Sequence, residues 1–477
     1  MNKKVKVGLT GVVHPNMPGN DKKIYQQIVK DMKLLSNEKD FDLVTIPEVL
    51  ESEKASRKGK EKLEDNNVDF TMIFSASLGY GRVLLPLAKI DSYIGLWSIP
   101  EPTKSGVLQL NSFCGTNMFA AILKNYFKHY DIPYKWFYGY PESDIFMERF
   151  EITLRAMKAI KVLENSRIGL VGDIADGFEN FNFDERLLDK KLGTYIQQRH
   201  TVEDIVARAK DINKEQVDKD LEEFLEMGNW NKDRVSEEDV RKSSRVYLAF
   251  KEFANENDYN ALAISCWPKF QEVYDLAVCS AMSRLNQDGI VAPCEGDIMG
   301  TLNMLVLNAM SGNRATINDL VSIDQEDESF NFWHCGVAPA CWANKNGVTW
   351  DQHFNIGEYK ENGEWDGKGV VADLTFKPGP ITVFRMDNNF DDLLIMKGEV
   401  MADKDSFYGS SGWVKNLQIN GNKLSTKDLI NTLIVNHVDH HFPTVYGDFT
   451  DELMEFANWK SMSVLNEISY KPYFQRK

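Results

Sequence analysis

The sequence is poor in cysteine and histidine and has no long apolar run. Its six cysteines, in a chain of 477 residues, are scattered and lack the paired spacing of zinc sites. We therefore interpret them as small buried thiols in a reducing compartment. No stretch approaches the roughly 18 apolar residues that span a bilayer, and the apolar run at the start is too short for a signal peptide. These absences predict a cytoplasmic protein without a membrane segment.

Positive charge is also scarce. The chain carries 55 lysine and arginine residues against 71 aspartate and glutamate residues, which gives a formal net charge of −16. A surface of that sign repels nucleic acids and anionic membranes, so neither is an expected partner. A small anionic ligand stays compatible with this charge, because one local basic pocket outweighs a distant negative field.

Length and pattern predict an α/β protein with several domains. A single core stops growing at roughly 250–300 residues, well short of this chain. Strands alternate with helical patterns in the first part, which is typical of parallel sheets with helical crossovers. We predict two Rossmann-like parallel-sheet domains, 1–165 and 166–312, and a β-rich C-terminal domain, 313–477, with an antiparallel sheet or barrel.

The predicted elements follow the apolar patterns of the sequence. The strands predicted before residue 300 are Val5–Thr10, Asp42–Ile46, Asp69–Ser75, Tyr93–Ser98, Ala261–Ser265 and Ile290–Cys294. The strands predicted after it are Ala315–Ile323, Asn331–Cys335, Val370–Phe376, Ile381–Met386 and Leu393–Val400. Helices are predicted over Asp21–Leu35 and, roughly, Ile145–Glu164.

Glu295 is the first candidate for chemistry. It follows the predicted strand Ile290–Cys294, at the carboxyl end of a strand, where α/β proteins form their sites. Gly296 comes next and permits a sharp turn that aims the carboxylate inwards. Asp297 fits a structural role as the N-cap of the following helix, where an acidic residue stabilises the helix by roughly 0.3–1 kcal/mol.

Asp319 is the second candidate. One helix and one turn fit between Glu295 and Asp319, so the next strand brings the second carboxylate back beside the first. An aspartate inside the apolar pattern Ala315–Ile323 is costly to bury unless it is paired or binds a metal ion. The spacing therefore favours a two-carboxylate site.

Histidine is concentrated in one place. Of the eight in the chain, His437, His440 and His441 lie within five positions, between apolar stretches that indicate a strand end. Neutral imidazole is a good ligand for zinc, manganese, iron or cobalt. Surface or core histidines are the alternative interpretation. His334 is open to both interpretations, as an inward group or as a core histidine bonded to backbone.

Several motifs together resemble the L-fucose isomerase/L-arabinose isomerase family. Each is weak alone, but they follow the family's order through most of the chain. The motifs are Asn111-Ser-Phe-Cys-Gly-Thr-Asn117, Cys266-Trp267-Pro268, Ser283-Arg-Leu-Asn286, Cys294-Glu-Gly-Asp297, Asp319, Trp333-His-Cys-Gly336, His440-His441 and Tyr446-Gly-Asp448. The second carboxylate is an aspartate, as in the fucose-type branch, whereas arabinose isomerases use two glutamates and two histidines at the metal.

The resemblance implies a divalent cation, usually Mn²⁺ or another such as Co²⁺, bound by Glu295, Asp319 and one histidine. In the fucose-type enzymes an asparagine precedes the ligand histidine by four positions, and Asn436 stands in that relation to His440. His440 is therefore the predicted ligand, and His441 its neighbour.

The resemblance also indicates side chains that contact the sugar. Asn436 and His441 are predicted to do so beside the ligand, and Trp413 is predicted to form an aromatic wall of the pocket. Where the family has a substrate-contacting arginine before a proline, this sequence has His14-Pro15. His14 is therefore the predicted counterpart, and it departs from the fucose-type pattern.

The activity that the resemblance implies is aldose–ketose isomerisation of a monosaccharide, of L-fucose or arabinose type or a modified hexose such as sulfoquinovose. Glu295 is the predicted base and Asp319 its partner in proton transfer through an enediol, with a metal-assisted hydride shift as the alternative. Family members assemble as trimers or hexamers, so a homo-oligomer is expected. A non-catalytic sugar-binding protein and a metal-dependent hydrolase are the alternative functions.

Overall fold

The computed structural model describes residues 4–19, 21–194 and 196–476. The chain forms two compact units, Met1–Lys161 and Val162–Lys477. The predicted fold class is confirmed, because parallel sheets with helices are followed by a β-rich region. Among the described residues, none of the helices combines the length and apolar character that crossing a bilayer requires.

The first unit is built on a parallel sheet. Its strands run in the order β2-β1-β3-β4-β5, each pair parallel. The strands are β1 (Lys6–Val12), β2 (Asp42–Thr45), β3 (Phe70–Ser75), β4 (Tyr93–Ser98) and β5 (Tyr134–Tyr138). The helices are α1 (Asp21–Glu38), α2 (Glu53–Asp65), α3 (Gly81–Leu87), α4 (Ser112–Asn125) and α5 (Asp144–Glu164). Every residue of β3 is buried, as expected of a strand covered on both faces.

The second unit begins with a smaller parallel sheet in the order β7-β6-β9. The strands of this part are β6 (Ile168–Val171), β7 (Ile196–His200), β8 (Gly228–Trp230) and β9 (Ala261–Ile264). Its α-helices are α6 (Glu185–Leu192), α7 (Val202–Asp211), α8 (Lys214–Met227), α9 (Glu237–Glu256), α10 (Lys269–Tyr274), α11 (Cys279–Asp288) and α12 (Ile298–Ser311). The short strand β8 does not join this sheet but pairs with the C-terminal one.

A large, mostly antiparallel sheet follows, and its main path runs β20-β16-β17-β18-β15-β12-β8. The strands are β10 (Asp319–Asp324), β11 (Ser329–His334), β12 (Val348–Gln352), β13 (Gly357–Tyr359), β14 (Trp365–Gly367), β15 (Val370–Thr375), β16 (Gly379–Met386), β17 (Asp392–Val400), β18 (Ser410–Ile419), β19 (Asn422–Lys423), β20 (Thr444–Tyr446) and β21 (Ser463–Val464). The helices are α13 (Thr426–Val435) and α14 (Thr450–Trp459).

Two predicted strands differ from the structure. Ile290–Cys294 is extended but forms only a single bridge, between Val291 and Ala261 of β9. The strand predicted over Ala315–Ile323 begins only at Asp319, because the residues before it make one isolated bridge, Thr316 with Thr444. The smaller parallel sheet, β7-β6-β9, lies in the same compact unit as the β-rich sheet. The division into three domains and the predicted boundaries stay a prediction.

Candidate metal centre

Glu295 lies in a sharp turn between the end of α11 and the start of α12. Its φ is +63° and that of Gly296 is +70°, so two successive residues are left-handed. The backbone is held on both sides, because the Gly296 N–H donates to the Ile264 carbonyl at 2.9 Å and the Ala175 N–H to the Glu295 carbonyl at 3.0 Å. A left-handed non-glycine residue costs on the order of 1–3 kcal/mol and is typical of functional sites. The predicted turn is confirmed.

Asp319 and His441 come together where two segments run antiparallel. Thr316 is bridged to Thr444 and Asp319 to His441. The Phe442 N–H donates to the Asn318 carbonyl at 2.6 Å between them. This pairing puts the His441 Nε2 atom 3.7 Å from Asp319 Oδ1.

His441 is fully buried and lies at the centre of the cluster. Its Nε2 atom is 3.3 Å from Glu295 Oε2 and 3.5 Å from the Nε2 atom of His334. His334, at the end of β11, is 1% exposed, and its Nδ1 atom accepts the backbone N–H of Cys335 at 2.9 Å. Both interpretations of His334 fit this position, because one ring nitrogen is bonded to backbone and the other faces the cluster.

His440 lies on the open side of the same cluster. Its side chain is 40% exposed, and its Nε2 atom is 3.5 Å from Glu295 Oε2. The ring packs against Phe178 and Phe181, with centroid distances of 5.6 and 4.7 Å. The contacts therefore favour His441 over His440 as a ligand, while the choice of His440 made from Asn436 stays a prediction.

Asp297 does more than cap a helix. One carboxylate oxygen accepts the Gly300 N–H at 2.8 Å, which starts α12. The other lies 2.9 Å from His441 Nδ1 and 2.6 Å from an Arg385 nitrogen. Arg385 also binds Asp439 at 3.0 Å, and Asp297 itself is completely buried. The capping prediction is confirmed, but the pairing with His441 was missed.

Charge in the cluster favours ionised carboxylates. Burial raises the pKa of Glu295, but the adjacent imidazoles of His440 and His441 outweigh it and hold that pKa at about 2. Burial lowers the pKa of His441, whereas its hydrogen bond with Asp297 and the nearby carboxylates of Asp297 and Glu295 raise it to about 10. The carboxylates therefore stabilise a positive charge at this point, from a proton or from a cation.

Two buried acidic oxygens in the cluster have no hydrogen-bond partner. They are Glu295 Oε2 and Asp319 Oδ1. Glu295 Oε2 lies near the Nε2 atoms of His440 and His441 but is not aligned for a hydrogen bond with either. Ligand atoms of Glu295, His440 and His441 lie within 4.8 Å of one another, and so do those of Asp319, His334 and His441. Unpartnered buried carboxylate oxygens beside imidazole nitrogens suit a divalent cation. The residues therefore fit such an ion.

The other predicted contact residues have structural surroundings. The Asn436 amide donates to the Thr432 carbonyl at 2.9 Å at the end of α13. The Trp413 indole N–H donates to the Asp405 carbonyl at 2.8 Å, and its ring lies 3.8 Å from the Lys404 nitrogen. His14 belongs to the first unit, where its ring packs on Tyr80 at 4.7 Å. Their roles toward a sugar stay predictions.

One missed partner left a signal in the sequence. Arg385 is a charged residue inside the apolar pattern Ile381–Met386, and burying such a charge requires a partner. Asp439, which precedes His440 in the sequence, is an acidic residue that could have been proposed as that partner. The link from Arg385 to Asp297 spans 88 residues, and local pattern contains no information about it.

Comparisons with known proteins identify the class of enzyme. The family described as L-arabinose isomerase central domain matches residues 187–313. A sulfoquinovose isomerase of Priestia aryabhattai is 29% identical over 402 residues, which cover 83% of this chain and 85% of that protein. A sulfoquinovose isomerase of Alkalicoccus urumqiensis is 29% identical over 388 residues, 79% of this chain and 82% of its own.

This chain is an aldose–ketose isomerase, and its central region is similar to the L-arabinose isomerase central domain. A third relative, from Clostridium sp. (strain MSTE9), carries the same name and is 26% identical over 76% of the chain. The matches support the predicted resemblance to the L-fucose isomerase/L-arabinose isomerase family, and the fucose-type branch stays a prediction. The matches favour the isomerase over the sugar-binding protein and the hydrolase.

Proposed function

We propose that this isomerase converts a sulfonated hexose, sulfoquinovose, into its ketose isomer at a Mn²⁺ site formed by Glu295, Asp319 and His441. The observation that carries the site is the pair of unpartnered buried oxygens, Glu295 Oε2 and Asp319 Oδ1, that face His441. The observation that supports the substrate is that relatives aligned over about four-fifths of the chain are named sulfoquinovose isomerases.

The proposed ligand set combines features of two branches. Asp319 as second carboxylate corresponds to the fucose-type enzymes, which supports a place near that branch. His334 lies 3.5 Å from His441, so a second imidazole is within reach of the ion, as at arabinose isomerase sites. Carboxylate oxygens with imidazole nitrogens suit Mn²⁺, and Co²⁺ is an accepted substitute for such ligands.

The chain's own groups supply the proton transfers. A bound divalent cation would polarise the sugar carbonyl and stabilise negative charge on the enediolate. Glu295 Oε2 faces the imidazoles, which leaves Oε1 to take the proton from C2 and return it at C1. Asp319 transfers the proton between O1 and O2. Asp297 holds the His441 ring in place through Nδ1.

Removal of the metal tests the proposed site. Protein stripped with EDTA and freed of chelator should lose isomerisation and recover it with Mn²⁺ or Co²⁺. Asp319→Asn should abolish recovery, because it removes a charged ligand. Asp324→Asn, at the other end of β10 and paired with Lys404, is the matched control and should recover. Full activity in persistent excess EDTA would contradict the proposal.

A panel of sugars tests the substrate. We expect the highest kcat/KM on sulfoquinovose, compared with L-fucose, D-arabinose and L-arabinose, in a ketose assay with Mn²⁺ present. Equal activity on an unsulfonated sugar would refute the substrate and leave the isomerase class intact. Deuterium incorporated at C1 or C2 in D₂O supports proton transfer, and its absence supports a hydride shift.

A further inference from the structure

A buried thiol reaches into the candidate metal centre. The Cys294 sulfur, a Glu295 carboxylate oxygen and a His334 ring nitrogen lie within 4.8 Å of one another. Cys294 and His334 are each 1% exposed, and Glu295 Oε2 has no hydrogen-bond partner. This cluster therefore combines sulfur, oxygen and nitrogen ligands in a largely buried environment.

The sulfur cluster overlaps with the proposed Mn²⁺ ligands. Glu295 belongs to both groups, and His334 also forms a group with Asp319 and His441. Zinc binds sulfur at about 2.3 Å and imidazole nitrogen at about 2.0–2.1 Å, so its ligand atoms stand roughly 3.3–3.8 Å apart. Small side-chain shifts would bring the three groups to that spacing. Because Glu295 belongs to both groups, a soft ion and Mn²⁺ compete for its carboxylate.

We propose that Cys294, His334 and Glu295 form a second coordination site, which binds thiophilic ions such as Zn²⁺ or Cd²⁺ and excludes the hard cation. Thiolate selects soft ions, whereas carboxylate and water suit Mn²⁺. On binding, the Cys294 S–H bond is lost, a sulfur–metal bond forms and the proton goes to solvent. No electron is transferred. The competition with Mn²⁺ rests on the proposed function, but binding of the soft ion does not.

Titration with Cd²⁺ tests the site directly. The full chain with its two exposed thiols removed, Cys114→Ser and Cys341→Ser, is stripped of metal and titrated. We expect one equivalent of Cd²⁺ to produce an ultraviolet thiolate-to-cadmium absorption band and to release a proton. Cys294→Ala in this background should lose the band. Cys279→Ala, the matched removal of another buried thiol, should keep it.

Some outcomes would overturn the proposal. They are an absent band in the parent, or an undiminished band in Cys294→Ala. Thermal unfolding checks that the variants fold, and Cys294→Ser replaces the alanine variant if that one does not. At fixed Mn²⁺, half-inhibition should need at least tenfold more Zn²⁺ in Cys294→Ala than in the parent. Equal inhibition of both would also overturn it.

Failure of the proposed function would look different. In that case the parent would show no metal-dependent isomerisation of any sugar in the panel, while the cadmium band and its loss in Cys294→Ala would persist. The opposite result, Mn²⁺-dependent isomerisation without any cadmium band, would remove the second site alone.

Discussion

His441 has a buried carboxylate on each side of its ring. Asp297 lies 2.9 Å from Nδ1, and Glu295 lies 3.3 Å from Nε2. A carboxylate at one ring nitrogen fixes the tautomer, and the other nitrogen is then available as a metal ligand. Asp297 therefore acts on the proposed metal through His441, as a positioning residue.

Asp297→Asn should weaken Mn²⁺ binding by about 10–100-fold, because partners of ligand histidines typically have effects of that size. The neutral amide no longer compensates the buried Arg385 charge, and breaking a buried pair costs about 3–5 kcal/mol of the free energy of unfolding. Mn²⁺ affinity by electron paramagnetic resonance and urea unfolding measure the two effects.

Asp439→Asn is the control for that substitution. Asp439 is the second, more exposed partner of Arg385, and its substitution leaves the contact between Asp297 and His441 intact. We expect a smaller loss of stability and near-normal Mn²⁺ affinity. Equal Mn²⁺ affinity in both variants would show that Asp297 does not position the ligand.

The two adjacent histidines can be separated by substitution. His441→Ala should abolish Mn²⁺ binding, since His441 is buried against Glu295 and Asp319. His440→Ala should retain the ion and mainly raise KM, because its ring is 40% exposed at the open side. Metal content after dialysis and steady-state kinetics measure both. The reverse result would support the ligand assignment made from Asn436.

At the scale of elements, the connection from α11 to α12 determines where Glu295 points. A Cβ at Gly296 would overlap the Asp173 carbonyl oxygen, so the left-handed turn has room for glycine alone. The helix that follows begins at once, capped by Asp297. The ligand and its positioning residue therefore depend on one three-residue turn.

Gly296→Ala should reduce activity more than tenfold and lower Tm, because the overlap with fixed backbone displaces Glu295. Gly312→Ala is the matched control, since Gly312 has φ +72° at the end of the same helix and an added Cβ there would meet no atom within 4 Å. Gly312→Ala should lower the free energy of unfolding by only about 1–2 kcal/mol, because alanine disfavours the left-handed conformation, and it should leave the kinetics unchanged. Unchanged kinetics in Gly296→Ala would mean that the turn does not position Glu295.

At the scale of the whole molecule, assembly and cellular location stay predictions. The first unit exposes large aromatic side chains, among them Phe113 at 63% and Trp136 at 47%, both lining a groove of about 780 Å³. Clustered apolar surface of this kind is typical of contacts with another chain. The family resemblance indicates that the partner is a second copy.

We expect the purified protein to sediment as three or six copies of the chain, because association would bury these aromatic side chains. Native mass spectrometry or light scattering at micromolar concentration measures the mass. A raised salt concentration is the control, because it weakens association through surface charges but should not dissociate an oligomer held by apolar contacts. A monomer throughout would contradict the expectation.

Local sequence was enough to predict the main elements and half of the site. The strand Tyr93–Ser98 and the long helix ending at Glu164 follow directly from apolar periodicity. The sharp turn after Glu295 was predicted because glycine at 296 permits it, and the left-handed conformation of Glu295 itself is a finding of the structure. Glu295 and Asp319 both lie near His441 Nε2, which agrees with the one helix and one turn expected between them.

What the sequence determined by itself is therefore the fold class, because it depends on short-range pattern, and it also supplied the two carboxylates and the histidines as candidates for the site. Only the tertiary structure decided which imidazole is buried among them and which residue holds it. The antiparallel bridge of Asp319 to His441 and the contacts of Asp297 with His441 and Arg385 join distant segments. The geometry of these contacts depends on how whole elements pack, which cannot be predicted from local periodicity.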